Sequence, residues 1–408
     1  MTARVRAPEL AGRGWLNTAG GTPTLAALRG RFVLLDFWTF CCVNCLHVLD
    51  ELRPLERDFA DVLTVIGVHS PKFEHEGRPQ AVAAAVERYG VEHPVLDDPE
   101  LITWKQYAVR AWPTLVLVDP EGYVVAQLSG EGHEHALRAL LTDLVEQADA
   151  RGVLHRGSGP YEPPPAEPST LRFPAKAVLL PRGTLLVADA GHHRVVELDA
   201  EGTTLLRAFG DGERGLRDGD AGTARLSEPN GLCLLPAETA ERLGYDVVVA
   251  DTVNHALRGL SSTTGRVVTI AGTGRQWMQG DRSEGPALEV PLSSPWDVVW
   301  LPDGGPPGSE GSLVVAMAGV HQLASVDPVS GTTTVLAGTT REGLVDGEAA
   351  TCWLAQPSGL ARDTRDADVA AVWFVDAETS ALRRLAHGVV TTAVGSGLFD
   401  FGHVDGPA

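Results

Sequence analysis

The chain has 408 residues, 44% of them hydrophobic, enough for two or three domains with filled cores. Its formal net charge of -20 is spread over both halves and argues against a nucleic-acid surface. No run of 18 apolar residues predicts a membrane helix, the N-terminus lacks the apolar stretch of a secretory signal, and the five locally clustered cysteines make no secreted disulfide framework. The expectation is a cytoplasmic protein, with no membrane or nucleic-acid partner, whose cysteines serve redox or metal chemistry.

Residues 1–29 form a Gly/Pro-rich lead-in, with Trp15 and Leu16 placed to pad an edge of the first domain. Residues 32–37 are apolar except for Asp36, the pattern of a strand buried on both faces. Cysteines follow at 41, 42 and 45, and Leu46, Leu49, Leu52, Leu55 and Phe59 then recur at helical spacing. Cys42-Val43-Asn44-Cys45 thus falls where a buried strand becomes a helix N-terminus. Unpaired backbone N–H groups and the positive end of the helix dipole favour a thiolate there. Cys42, at the exposed helix start, is the candidate nucleophile, and Cys45, one turn in, the candidate resolving thiol. Adjacent Cys41 and Cys42 would close a strained ring. An inert cysteine cluster or a metal site is the plain alternative. Burial of Asp36 would raise its pKa and supply a proton acceptor behind the dicysteine; an acid that merely reaches solvent at a strand end is the alternative.

Further along, residues 62–68 predict a second buried strand, residues 69–77 a loop, residues 79–89 a helix, and residues 101–107 another. Ala111-Trp112-Pro113-Thr114 precedes a strand at 115–119, a turn, a strand at 123–128 and a closing helix at 134–148. Trp38 and Trp112 either flank the sulfurs or simply pack the core.

The string Asp36-Phe37-Trp38 followed by Cys42-x-x-Cys45, with this element order, resembles a thioredoxin-fold domain of the TlpA-like type over residues 30–150. That resemblance implies a thiol-disulfide oxidoreductase with catalytic Cys42 and Cys45, supported by Asp36, Trp38, Cys41, Trp112 and Pro113. It implies a cis Pro113 facing the dicysteine and exposing neighbouring backbone for a substrate chain to pair with. No cofactor beyond the redox-active disulfide and an external thiol reductant is expected, and the partner is a protein disulfide or thiol. Cys41 stands where thioredoxins usually carry a second tryptophan.

Residues 151–170 read as a linker, with five prolines in residues 156–170. Beyond it the chain repeats. Residues 216–232 match residues 344–360 at an offset of 128, with a third copy at 284–298. A second motif recurs as L-V-A-D-A-G-H-H-R-V, V-V-A-D-T-V-N-H-A-L, V-V-A-M-A-G-V-H-Q-L and W-F-V-D-A-E-T-S-A-L. Repeats of about 60 residues made of short strands and Gly/Asp turns predict propeller blades. Their wording resembles NHL repeats, so residues 171–408 are expected to form an all-β NHL-type propeller that binds a protein partner. The whole chain is similar to proteins that join a thioredoxin-like front end to such repeats. Four blades are expected, the first one short. The tetrad at 405–408 would open a fifth, as if the propeller were truncated from about six.

The bland alternatives are specific too. Cys41 and Cys45 also spell a copper spacing, with His133 or His135 as distal ligand, but no resident metal is expected. Haem attachment fails because Leu46 stands where histidine is required, and His47 reads as an ordinary helix residue. Cys233 and Cys352 read as small buried residues in strands. The Asp-Gly tetrads read as turn chemistry, not calcium sites, and His192, His193 and His255 as blade-structural residues. A non-catalytic interaction scaffold is the competing function.

Overall fold

The computed structural model describes residues 4–159, 161, 168–302, 311–365 and 370–402. The chain divides into two compact units, Met1–Pro168 and Ser169–Ala408.

The first unit is built on one sheet. Its elements are β1 (Val5–Arg6), β2 (Gly14–Leu16), β3 (Phe32–Trp38), α1 (Val43–Asp58), β4 (Leu63–His69), α2 (Pro79–Arg88), β5 (Val95–Asp97), α3 (Ile102–Gln106), β6 (Thr114–Val118), β7 (Tyr123–Ser129) and α4 (Glu134–Ala150). The strand order is β1-β7-β6-β3-β4-β5-β2. β3, β4 and β5 run parallel, while β6 and β7 return antiparallel. Successive side chains of β3 face opposite sides, as the strand period requires. Phe32 and Leu34 pack with Val48, Leu52 and Leu55 of α1 and Leu137 and Leu141 of α4. Val33, Leu35 and Phe37 pack on the other face with Leu25, Leu28, Trp104 and Tyr107. A strand covered on both sides explains the nearly unbroken apolar run.

The lead-in is a correction to the expected boundaries. β1 pairs with β7 and β2 with β5, so residues 1–29 supply both edges of the sheet, with Trp15 opposite Leu96. Residues 160 and 162–167 of the proline-rich linker, and the tetrad at 405–408, lie outside the described residues.

The second unit consists of four antiparallel sheets in series. The first holds β8 (Pro174–Leu179), β9 (Leu185–Asp189), β10 (Arg194–Leu198) and β11 (Leu205–Phe209). The second holds β12 (Pro229–Leu234), β13 (Val247–Asp251), β14 (Ala256–Leu260) and β15 (Val267–Ala271), with a short helix α5 (Ala237–Leu243) in its first hairpin. The third holds β16 (Gly285–Pro286), β17 (Pro295–Leu301), β18 (Ser312–Met317), β19 (Gln322–Asp327) and β20 (Thr332–Ala337). The fourth holds β21 (Gly347–Glu348), β22 (Pro357–Arg362), β23 (Ala371–Asp376), β24 (Ala381–Ala386) and β25 (Val389–Val394). Strands β8, β12, β17 and β22 are successive neighbours. Nζ of Lys176 on β8 lies 2.5 Å from Asp297 on β17, which also accepts the Leu360 N–H of β22 at 2.9 Å. The arrangement is β-propeller-like. Among the described residues, no strand pairing joins the fourth sheet to the first.

Two recurring devices fasten the sheets. His193, His255 and His321 are each left-handed, and the Nδ1 of each accepts a backbone N–H from the start of the next repeat: Glu228 at 3.3 Å, Ser294 at 3.0 Å and Gln356 at 3.2 Å. The donors Glu228, Ser294 and Gln356 are left-handed as well. Secondly, Arg258 pairs with Asp251 and Asp218, and Arg383 with Asp376 and Asp346. Asp218 and Asp346 also receive Thr269 and Thr392. These tetrad acids therefore do more than shape a turn: each is the partner of a buried guanidinium. Cys233 lies in β12 as expected, but Cys352 is buried in a turn segment, not a strand.

Candidate active site

β3 ends at Trp38, four residues of loop follow, and α1 begins at Val43 with Cys42 as its N-cap. Sγ of Cys42 turns back over the first turn and accepts the backbone N–H of Cys45 at 3.4 Å, satisfying one of the donors a helix start leaves open. Trp38, Cys42, Cys45, Leu49, Val86 and Val95 form one buried cluster, with Phe40, Leu46 and Trp112 packed against it. Both tryptophans thus lie at the cysteines. None of the three cysteines is joined in a disulfide.

The cover corrects one expectation. Cys42 is only 3% exposed, and Cys41 is the more accessible sulfur. Distant segments close over the helix start: Trp112 donates its indole N–H to the Ser70 carbonyl at 2.7 Å and lies against Trp104 at 4.3 Å. The Trp112–Pro113 bond is cis. Pro113 is buried, its carbonyl accepts Gly130 N–H, and the Ala111 carbonyl accepts Thr114 Oγ1. Arg110 and Ala111, just before it, are exposed.

Burial pushes the Cys45 thiol well up, and hydrogen bonding to Cys42 adds to this, while Lys72 pulls it down. Lys72 sits over the Trp112 ring at 5.6 Å. Asp36 is fully buried, which removes the solvent-reaching alternative. It shares the α1 face of β3 with Leu34 and Trp38 by alternation. Its carboxyl oxygens have no hydrogen-bond partner among the described residues, and burial, with Glu56 and Glu51 of α1, holds it well above the usual carboxylate range.

The loop after β4 supplies residues that sequence reading passed over. Glu76 is buried and accepts the Thr39 hydroxyl and the backbone N–H groups of Cys41, Lys72 and Phe73. Burial would raise its pKa, but these hydrogen bonds and His69 together hold it below the ordinary value. Nε2 of His75 lies 3.5 Å from Sγ of Cys41. His69 is fully buried, stacks on Phe40 at 5.4 Å and meets Trp38 edge-on at 5.3 Å. Burial lowers its pKa to about 4. The only signal for these residues was the density of charged and histidine residues in residues 69–77.

The histidines named for copper are elsewhere. Nε2 of His133 is on the Ser129 carbonyl at 3.0 Å and His135 is exposed; the ring that reaches Cys41 belongs to His75. Among the described residues, no group of three or more His, Cys, Asp or Glu is arranged to hold a metal ion. His47 is a helix residue but a buried one, its Nδ1 2.6 Å from Glu131.

Residues 30–124 match the family model described as thioredoxin-like. They are a thioredoxin-like domain. The thioredoxin-like domain and the sheets after it are together 36% identical, over 96% of this chain, to Protein SUPPRESSOR OF QUENCHING 1, chloroplastic, of Arabidopsis thaliana, covering 37% of that protein. They are 33% identical over the same share of this chain to NHL repeat-containing protein 2 of Homo sapiens, covering 56% of it. The expected likeness to thioredoxin-like proteins with NHL repeats is thereby shown, and the chain spans about half or less of these relatives. The thioredoxin-like domain alone is 27% identical over 112 residues to Thiol-disulfide oxidoreductase ResA of Halalkalibacterium halodurans, over 27% of this chain and 61% of that one. No described helix is long and apolar enough to cross a membrane.

Proposed function

We propose that the chain is a thiol-disulfide oxidoreductase whose propeller-like unit binds the protein it acts on. Cys42 Sγ attacks a substrate disulfide as the thiolate; one substrate sulfur stays bonded to Cys42 and the other leaves as a thiol after taking a proton. Cys45, losing its proton to Asp36, then attacks Cys42 Sγ. The Cys42–Cys45 bond forms, the second substrate sulfur leaves reduced, and an external dithiol restores the enzyme. The observation that carries this reading is the Cys42 sulfur capping the helix through the Cys45 N–H, where a negative charge is stabilised. The likeness to Thiol-disulfide oxidoreductase ResA supports the same chemistry for the shared domain.

The 3% exposure of Cys42 favours a second reading, an interaction scaffold without turnover. Reduction of a small-molecule disulfide by the wild-type chain and by Cys42→Ser separates the two. Loss of turnover in Cys42→Ser supports the oxidoreductase; equal rates leave the scaffold.

A further inference from the structure

Four buried polar atoms of the thioredoxin-like domain that lack a hydrogen bond to any described residue fall in one region under α1: both carboxyl oxygens of Asp36, Nε1 of Trp38 and Nε2 of His93. Strand register brings them together. Asp36 lies beside Gly67 across the β3–β4 pair, and paired residues of parallel strands point to the same face. A Cβ built on Gly67 would stand 2.9 Å from Nε1 of Trp38 and 3.1 Å from Nε2 of His93. A side chain at 67 would run into both nitrogens, so the glycine is what lets Trp38 and His93 come up against the strand beside Asp36. An indole N–H, an imidazole nitrogen and a carboxyl group, all buried on the same sheet face without a partner among the described residues, call for a hydrogen-bonding occupant. Water, donor and acceptor at once, suits all three.

His93 leads outward from that region. Its Nδ1 lies 2.7 Å from Oε1 of Glu56, and the Glu56 side chain is 27% exposed where that of His93 is 6%. Both residues line a groove of about 560 Å³, with Arg53, Arg57, Thr64 and Glu92. A chain of polar groups thus runs from the buried acid to solvent on a side of α1 that the cysteines do not use.

We propose that Asp36, a bridging water, His93 and Glu56 form a proton path between the dicysteine and this groove. The path rests on the thiol-disulfide reading of Cys42 and Cys45. When Cys45 resolves the mixed disulfide, its proton passes to the Asp36 carboxylate, the Cys42–Cys45 bond forms, and the substrate sulfur leaves as a thiolate that takes a proton from solvent. Asp36 hands its proton through water to Nε2 of His93, whose Nδ1–H passes a proton to Glu56 and so to the groove. One proton leaves by this route per disulfide formed; reduction by an external dithiol runs it backwards. The titratable groups around Asp36 are Glu51, Glu56 and Cys45 on α1, His69 at the end of β4 and His93 before β5, with Lys72 acting on Cys45; β6 places Leu115 opposite Asp36. Burial makes the Asp36 carboxyl hold a proton more tightly than an ordinary carboxylate, so the proton it takes from Cys45 needs an exit, and the path supplies one.

The test uses the full chain in a Cys41→Ser background, mixed in stopped flow with an aromatic disulfide whose thiolate is coloured. The first thiolate released reports attack by Cys42, the second attack by Cys45. We expect His93→Ala to slow the second release by about tenfold or more and leave the first unchanged. Added imidazole, free to enter the groove, should restore most of that rate. Glu56→Gln, which keeps a hydrogen-bonding side chain, should shift the pH profile of the second release. A second release as fast in His93→Ala as in the parent, or a slowing that imidazole does not relieve together with an unshifted profile in Glu56→Gln, would overturn the path. Absence of a second release in the parent itself would instead sink the thiol-disulfide reading, a result independent of His93.

Discussion

The Thr39 hydroxyl donates to the buried carboxylate of Glu76, tying the strand end before the cysteines to the loop that carries His75. The same carboxylate holds three backbone N–H groups, one of them that of Cys41. Glu76→Gln keeps the shape but loses the charge and turns two acceptors into one acceptor and one donor. It should destabilise the first unit by about 2–3 kcal/mol. Hydrogen exchange of the Cys41 and Phe73 amides should quicken in parallel, and an unchanged exchange rate would remove Glu76 from this role.

His69 fixes a pH dependence. Its folded pKa of about 4 lies below the ordinary 6.5, so the unfolded chain binds the extra proton between those values. Stability from this group is complete above pH 6.5 and is lost as pH falls toward 4, at up to about 1.4 kcal/mol per pH unit. Glu76, held low, extends the loss further into acid. His69→Phe, which keeps a ring against Phe40 and Trp38, should flatten the dependence between those values when melting of the first unit is followed across pH.

Asp36 has the opposite sign. An acid whose pKa burial raises takes up protons on folding, so its contribution to stability is present below the unfolded pKa and lost as pH rises through the folded one. Asp36→Asn should therefore stabilise the first unit at neutral pH by about 1–3 kcal/mol. It should also slow resolution by Cys45 by about tenfold or more. A variant both more stable and as fast as wild type would free Asp36 from the chemistry.

In the second sheet, Arg258 and Asp251 meet at 2.8 Å with neither side chain exposed. Arg258→Met leaves that carboxylate buried without its cation and should cost about 3–5 kcal/mol. The third sheet carries Met317 and Ala324 at the matching positions, both buried. The double change Asp251→Met with Arg258→Ala should accordingly cost less than the single one, as chemical melting of the two variants beside the wild type would reveal.

What could be read from the residues follows from how far apart the interacting partners stand. β3, α1 and the dicysteine between them are contiguous and periodic, so their types and order were plain. β1 and β2 were not, because strands of two and three residues carry no period and their partners, Tyr123 and Leu96, are remote. Trp112 packs against the Cys42 cluster, Glu76 holds the Cys41 amide and His93 meets Glu56 of α1, contacts none of which a local pattern encodes. The repeat of V-V-A-D motifs announced the sheets, whereas the partnership of Asp218 with Arg258 spans 40 residues and left no local trace.

The histidine clasps between sheets have a consequence for how such repeats drift. Each imidazole grips a main-chain N–H, so the grip itself asks nothing of the side chain at that position, where Glu228, Ser294 and Gln356 stand in turn. What must persist is a geometry, a left-handed residue facing a left-handed histidine, and a lineage can rewrite the lettering at that joint while the joint itself endures.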